Sequence, residues 1–183
     1  MARQRQREKR VISILKRWFG GVGNHRRSAM VLPPSRPRRS HENYRPELVP
    51  TLHAEHQQLL ALFSLVQQAC ESDDAIACRN AVNRFGQLLR EHLLTENRYL
   101  YGYFARHLHP DPVAARRITA MSMEMLRIGK PLHHFISTYT RGAWTAEQRR
   151  RLPIDVGNIG AILRHRIAEE ERLLYPLYAP SDG

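Results

Sequence analysis

Residues 89–96 read LREHLLTE, and residues 163–170 read LRHRIAEE. In each stretch a basic and an acidic residue stand four positions apart among apolar side chains, as His92 and Glu96 do in the first. Because side chains four positions apart share one face of an α-helix, both members of such a pair can point into the core of a helix bundle. The pattern is typical of a metal site or of a buried ion pair.

Four long helices are predicted around these stretches, with no alternating strand pattern between them. The breaks between the predicted helices are indicated by an acidic cap at Asp74, by the prolines of 109–112 and by the pair Leu152-Pro153. Four helices with short connections favour an all-α fold, an up-down-up-down antiparallel four-helix bundle over residues 47–178, followed by a tail at 179–183. The predicted helices are about 48–71, 74–106, 112–141 and 153–178.

The positive charge of the chain is concentrated before the bundle. Residues 1–46 carry 13 Lys and Arg against 2 acidic residues, which accounts for +11 of the net charge of +12. Within this basic arm, residues 8–19 have the spacing of a short basic amphipathic helix, and a Pro- and Arg-rich linker follows. The arm is either a solvated tail or a surface that binds anionic lipid or nucleic acid. The contact residues predicted for that surface are Arg10, Lys16, Arg17 and Trp18.

Composition and motifs disfavour several classes of protein. No apolar run approaches the roughly 20 residues that span a bilayer, and no cleavable leader is recognisable. We therefore expect a cytoplasmic protein, which the arm could bring to the membrane surface. A nucleophile triad, a phosphate-binding loop and a nucleotide fingerprint are missing, which argues against an enzyme. Cys70 and Cys78 are expected to be reduced, packed thiols, with a local disulfide as the alternative.

The helical register separates inward from outward side chains in the first two predicted helices. At about 100° per residue, His56 lies inside the apolar stripe of its helix, whereas His53 lies a quarter turn away. His92 and Glu96 both lie near the middle of their stripe. His56, His92 and Glu96 are therefore predicted to face the core.

In the last helix the same test selects Arg166 and Glu170 and places His165 on the opposite side. The third helix contributes Met125 to the core. Counting residues from the loops, at about 1.5 Å of rise per residue, brings the inward residues to one level of the bundle. The predicted layer consists of His56, His92, Glu96, Met125, Arg166 and Glu170.

Four segments together resemble a known family, the hemerythrin-like HHE cation-binding domain. They are LHAEHQQL (52–59), LREHLLTENRYLY (89–101), MEM (123–125) and RIAEEERLLYPLY (166–178). Members of this family are four-helix bundles that typically hold a non-haem di-iron centre, and the resemblance covers about residues 47–178.

The resemblance implies reversible binding of non-haem iron, for sensing or handling oxygen, nitric oxide or iron. Two imidazoles and two carboxylates are adequate for one iron or zinc ion, or for a carboxylate-bridged iron pair. The chain departs from the family where Arg166 replaces a histidine and where methionines replace the histidine of the third helix. The implied ligands are His56, His92, Glu96 and Glu170, with Arg166, Met125 and His53 as neighbours.

A metal-free function is the alternative. Arg166, followed by Ile167 and Glu170-Glu171, is also similar to the last helix of the regulator of sigma D family of anti-sigma factors. A guanidinium at the site would repel a cation and compete for the carboxylates of Glu96 and Glu170. In that case the buried residues form hydrogen-bonded and ionic pairs, and the chain is a regulatory module that binds a partner such as a transcription factor.

Overall fold

A computed structural model describes residues 44–72, 74–107 and 111–180 of the chain. Residues 1–43 of the basic arm lie outside the described residues. The contacts predicted for Arg10, Lys16, Arg17 and Trp18 therefore stay predictions. The described part of the chain is helical and contains no strand, and none of its helices is long and apolar enough to cross a membrane.

Five α-helices of the described residues form the four rods of a bundle: α1 (Leu48–Glu71), α2 (Ala75–Thr95), α3 (Gly102–Arg106), α4 (Pro112–Thr140) and α5 (Ala146–Glu169). Helix α2 runs through a π-helical segment, Glu96–Tyr101, directly into α3, and α5 runs through a second π-helical segment, Glu170–Leu174, into a final 3-10 turn, Tyr175–Leu177. Each rod packs against the rod that follows it in sequence, and α5 also packs against α1. The predicted all-α four-helix bundle is confirmed.

Acidic side chains cap α2 and α4 at the predicted breaks. The carboxylate of Asp74 accepts hydrogen bonds of 2.9 Å from the backbone N–H groups of Ile76 and Ala77. Asp111 accepts in the same way from the first turn of α4, which begins with Pro112. These bonds satisfy backbone donors that have no partner inside the helix.

The predicted start of the last helix, at residue 153, is wrong, because α5 begins at Ala146. The side chain of Thr145 accepts from the backbone of Gln148, whose own side chain accepts from the Thr145 N–H. This capping box starts the helix two turns before Pro153. Pro153 lies on the exposed side of α5, where the loss of one backbone hydrogen bond costs least.

The expectation of reduced thiols is also wrong, because Cys70 and Cys78 form a disulfide. The turn between α1 and α2 brings the two Cα atoms to 5.2 Å, which is within the usual range for a disulfide. The bond therefore links the end of α1 to the first turn of α2.

The apolar core is divided into two clusters along the bundle axis. The larger cluster includes Leu59, Leu93 and Leu163, and the smaller one includes Leu52 and Leu174. Between the two clusters lies a layer of buried polar side chains, each at most 5% exposed, which we call the polar layer. Buried polar groups are costly unless they are paired or coordinated, so their contacts require an explanation. The polar layer consists of His56, His92, Glu96, Arg166 and Glu170.

Candidate metal centre

Helices α1 and α2 place two histidines side by side in the polar layer. The ring centroids of His56 and His92 are 4.8 Å apart, and the two side chains are 0% and 4% exposed. His56 lies one helical turn after the buried Leu52, and His92 lies one turn before the buried Glu96. Both histidines are therefore on the buried face of their helices. Their imidazoles are therefore available to the same bound group.

Each histidine is held by a carboxylate from a neighbouring element. The Nδ1 atom of His92 lies 2.8 Å from Oε2 of Glu55, and the Nδ1 atom of His56 lies 2.9 Å from Oε1 of Glu171. A proton on Nδ1 donated to the carboxylate leaves Nε2 with a lone pair, which is the arrangement that orients histidine ligands of metals. Neither Glu55 nor Glu171 was predicted as a site residue, although each stands next to a predicted ligand in the sequence.

Glu170, directly after α5, places a carboxylate next to the histidines. Its Oε2 atom lies 3.2 Å from Nε2 of His56. His56, His92 and Glu170 each offer a ligand atom, and these three atoms lie within 4.8 Å of one another. Burial raises the pKa of Glu170, but its hydrogen bond with His56 and the charge of Arg166 outweigh burial and lower that pKa. The carboxylate is therefore ionised and able to bind a cation.

Glu96 is the member of the polar layer without a donor. Both of its carboxylate oxygens are buried, and no donor among the described residues lies at hydrogen-bonding distance. Burial raises the pKa of Glu96 well above its usual value, the nearby charge of Glu170 raises it further, and Arg166 lowers it. A proton on one of the two carboxyls, or a cation between them, would relieve this arrangement. The orphaned oxygens therefore fit a metal ion chemically.

Arg166 fills the other side of the layer, as the helical register predicted. Its Nε atom donates to Oε1 of Glu170, and one terminal nitrogen donates to the Tyr101 hydroxyl at 2.6 Å. The other terminal nitrogen lies 3.2 Å from the carbonyl oxygen of Met121 and 3.4 Å from a carboxylate oxygen of Glu124. The guanidinium thus has acceptors from three elements. By contrast, His165 is exposed.

Two tyrosines that the sequence analysis did not assign to the site reach the polar layer. The hydroxyl of Tyr101 accepts from Arg166, and that of Tyr175 lies 3.2 Å from Nε2 of His56. Tyr101 is the last residue of the π-helical segment that begins at Glu96, and Tyr175 directly follows the one that begins at Glu170. A π-helical turn shifts the register that a 3.6-residue period predicts, and such turns are frequent at functional sites.

A small cavity opens on the larger apolar cluster beside the layer. Its volume is about 20 Å³, which is enough for one water-sized molecule. His56, His92, Arg166 and Glu170 border it on one side, and Met125 lies with leucines and isoleucines on the other. The predicted neighbour Met125 therefore lines the space next to the histidines.

His53 lies outside the polar layer. Its side chain is 45% exposed, and its Nδ1 atom is 3.1 Å from the Glu171 oxygen that also contacts His56. The structure thus places His53 at the surface end of a short chain of contacts, His53 to Glu171 to His56.

Comparison with known proteins agrees with this geometry. The sequence profile of the hemerythrin HHE cation binding domain matches residues 47–178. Searches among curated proteins and among solved structures gave no match. The matched region holds all of the polar layer, and its buried histidines and glutamates could hold a metal ion. The chain belongs to the hemerythrin HHE cation-binding domain family.

Proposed function

We propose that the polar layer binds a transition-metal ion, iron in the first place, and that the protein senses or handles oxygen, nitric oxide or iron. The observation that carries the proposal is the convergence of two buried imidazoles and a carboxylate, since the ligand atoms of His56, His92 and Glu170 lie within 4.8 Å of one another. The orphaned carboxylate oxygens of Glu96 lie in the same buried layer, where they need a donor or a positive partner. The proposed ligands are His56, His92, Glu96 and Glu170.

The donor set is compatible with iron. Imidazole nitrogens with carboxylate oxygens, without thiolates, suit zinc and non-haem iron. Glu55 and Glu171 hold the two rings by their Nδ1 atoms, so the chain itself determines which nitrogen is offered. Bound in this layer, iron would supply an open coordination position for a diatomic gas and a change of redox state. The cavity of about 20 Å³ beside His56 and His92 has the size for such a small ligand.

Metal analysis of the protein purified from iron-supplemented cells tests the proposal. We expect near-stoichiometric iron and a charge-transfer band in the near ultraviolet. A stable, folded, colourless protein free of metal would contradict it. The gas-binding part is tested separately by recording the band before and after addition of nitric oxide or oxygen. An unchanged spectrum of the iron-loaded protein would remove gas sensing and leave iron handling.

The contacts of Arg166 support a second function, that of a metal-free regulatory module. The guanidinium neutralises Glu170 and has an acceptor at each of its three nitrogens, so part of the layer is stable without a metal ion. In this case Glu96 stays protonated, and a cytoplasmic partner such as a transcription factor binds the bundle or the arm. The metal-free outcome of the iron analysis favours this function.

The basic arm supports a further proposal, contact with anionic lipid or nucleic acid. We expect the full chain to sediment with vesicles that contain phosphatidylserine, or to retard nucleic acid in a gel. The matched variant replaces Arg10, Lys16 and Arg17 with Gln and Trp18 with Ala. Equal behaviour of the two proteins in both assays would show that these residues have no such role.

A further inference from the structure

We infer that the polar layer holds a single metal ion and that the guanidinium of Arg166 takes the place of a second cation. The inference rests on the proposed metal binding and adds the number of ions and the residue that sets it. Three independent features of the layer support it.

The first feature is the division of the Glu170 carboxylate between two partners. Its Oε2 atom faces Nε2 of His56 at 3.2 Å, whereas its Oε1 atom accepts from Nε of Arg166. A cation beside the histidines can use Oε2 while Oε1 stays with the guanidinium. The carboxylate therefore has one oxygen available for metal and cannot bridge two ions as long as Arg166 is in place.

The second feature is the set of hydrogen bonds that holds Arg166 in place. Besides Glu170, its guanidinium has the Tyr101 hydroxyl, the Met121 carbonyl and the Glu124 carboxylate as acceptors. The residue is 5% exposed. Moving it to make room for an ion would break these bonds and leave a buried charge without a partner, which is strongly unfavourable. Arg166 is thus a permanent occupant of its side of the layer.

The third feature is the distribution of donor atoms. Helix α4, which is described throughout, contributes only Met121 and Met125 to the buried surface near the layer, and its Glu124 is paired with Arg166. The buried nitrogen and oxygen donors that remain belong to His56, His92, Glu96 and Glu170, while His53 and Glu171 lie nearer the surface. With Oε1 of Glu170 occupied by Arg166, these four buried side chains suit one transition-metal ion with a position left open.

Charge balance leads to the same number. The two buried carboxylates of Glu96 and Glu170 offset most of the charge of one divalent ion together with one guanidinium. A second divalent ion would add positive charge that the two buried carboxylates do not offset, and the remaining carboxylates near the layer, those of Glu55, Glu124 and Glu171, are partly exposed and already paired.

The test is the ratio of metal to chain in the full-length protein after loading with excess iron(II) without oxygen and removal of unbound metal. We expect one tightly bound ion per chain and, after oxidation, the electron paramagnetic resonance signal of an uncoupled high-spin ferric ion. The variant Arg166→His, which replaces the guanidinium with a nitrogen donor, is expected to bind a second ion. The control variant Arg164→His adds a histidine on the exposed side of α5 and is expected to stay at one ion.

The outcomes separate this inference from the proposed function. Two coupled ions in the wild-type protein would overturn the inference and leave metal binding intact, whereas no ion would overturn metal binding itself. One ion in a folded Arg166→His protein would show that Arg166 does not set the number. If that variant does not fold, the wild-type ratio and its resonance signal decide.

Discussion

The two sides of the polar layer are built in opposite ways. On the histidine side, ligand atoms of His56, His92 and Glu170 lie within 4.8 Å of one another, and the carboxylate oxygens of Glu96 in the same layer have no donor. On the arginine side, each of the three nitrogens of the Arg166 guanidinium has an acceptor, and one of these acceptors is the Tyr101 hydroxyl. The first side leaves carboxylate oxygens without a donor, and the second carries a permanent cation of its own.

This difference indicates how one family fold can keep a buried polar layer while changing what it binds. A layer of ionisable groups must be neutralised by protons, by metal or by protein cations. Here the guanidinium of Arg166 supplies the positive charge on one side, and on the other side the carboxylate oxygens of Glu96 have no donor. Changes on the histidine side should therefore alter metal binding, and changes on the arginine side should alter stability.

The largest effect is expected from His92→Ala, which removes a proposed ligand. The loss of metal affinity should exceed the roughly 10–100-fold that removal of an outer hydrogen-bond partner causes. Iron content after purification and competition with a chelator measure it. The control is His165→Ala on the exposed face of α5, and a comparable loss in that protein would mean that the wrong histidine has been placed in the site.

Removal of the carboxylate that holds His92 should have the next largest effect. In Glu55→Ala the imidazole loses its 2.8 Å contact at Nδ1, so metal affinity should fall by about 10–100-fold. Glu71→Ala, at the exposed end of the same helix, is the matched control and should bind metal as the wild type does. Equal affinities of all three proteins would rule out an orienting role for Glu55.

On the arginine side, Tyr101→Phe should lower the free energy of unfolding by about 1–3 kcal/mol, because it removes the hydroxyl that accepts from Arg166 at 2.6 Å. Metal stoichiometry should not change. Urea unfolding of the metal-free protein and metal analysis together check both statements. A variant as stable as the wild type but poorer in metal would reverse the roles assigned to the two sides.

The metal-free and metal-bound proteins should respond oppositely to pH. In the metal-free protein the pKa of Glu96 is raised by burial, and that of His56 is raised because its bonds to Glu170 and Glu171 outweigh burial. The folded state then binds more protons than the unfolded state, so stability present below the usual values of 4.5 and 6.5 is lost as pH rises through the raised values.

Below pH 4.5 the lowered pKa values of Glu170 and Glu171 act in the other direction, and stability falls as pH falls. Metal binding needs deprotonated ligands and should strengthen with rising pH. Urea unfolding at about pH 5 and about pH 8, with and without metal, compares the two forms. A metal-free protein that becomes more stable between these values would contradict the assigned shifts.

The smallest effect is expected from His53→Ala. Its contact with Glu171 is at the surface, where such a pair contributes about 0–1 kcal/mol. Both stability and metal affinity should stay close to those of the wild type. A loss of metal as large as that of His92→Ala would place His53 among the ligands.

The helical period of the sequence was enough to predict the bundle and the inward direction of His92, Arg166 and Glu170. It could not predict the roles of Tyr101 and Tyr175, because π-helical segments shift the register after Glu96 and Glu170.

Other features depend on contacts between residues far apart in the sequence, or on two sequence patterns that predict different ends for the same helix. The carboxylate of Glu55 meets His92 across two helices, and that of Glu171 meets His56 across the bundle. The disulfide required the geometry of the α1–α2 turn, and the start of α5 depended on a capping box that outweighs Pro153. Spacing within one helix carries none of this information.

The most direct test of a metal site on the histidine side is anomalous diffraction from crystals of the full chain loaded with iron. We predict one peak in the polar layer, within bonding distance of His56, His92 and Glu170, with Arg166 still joined to Glu170. A layer without a peak in iron-loaded crystals, or a peak confined to surface residues, would contradict the account.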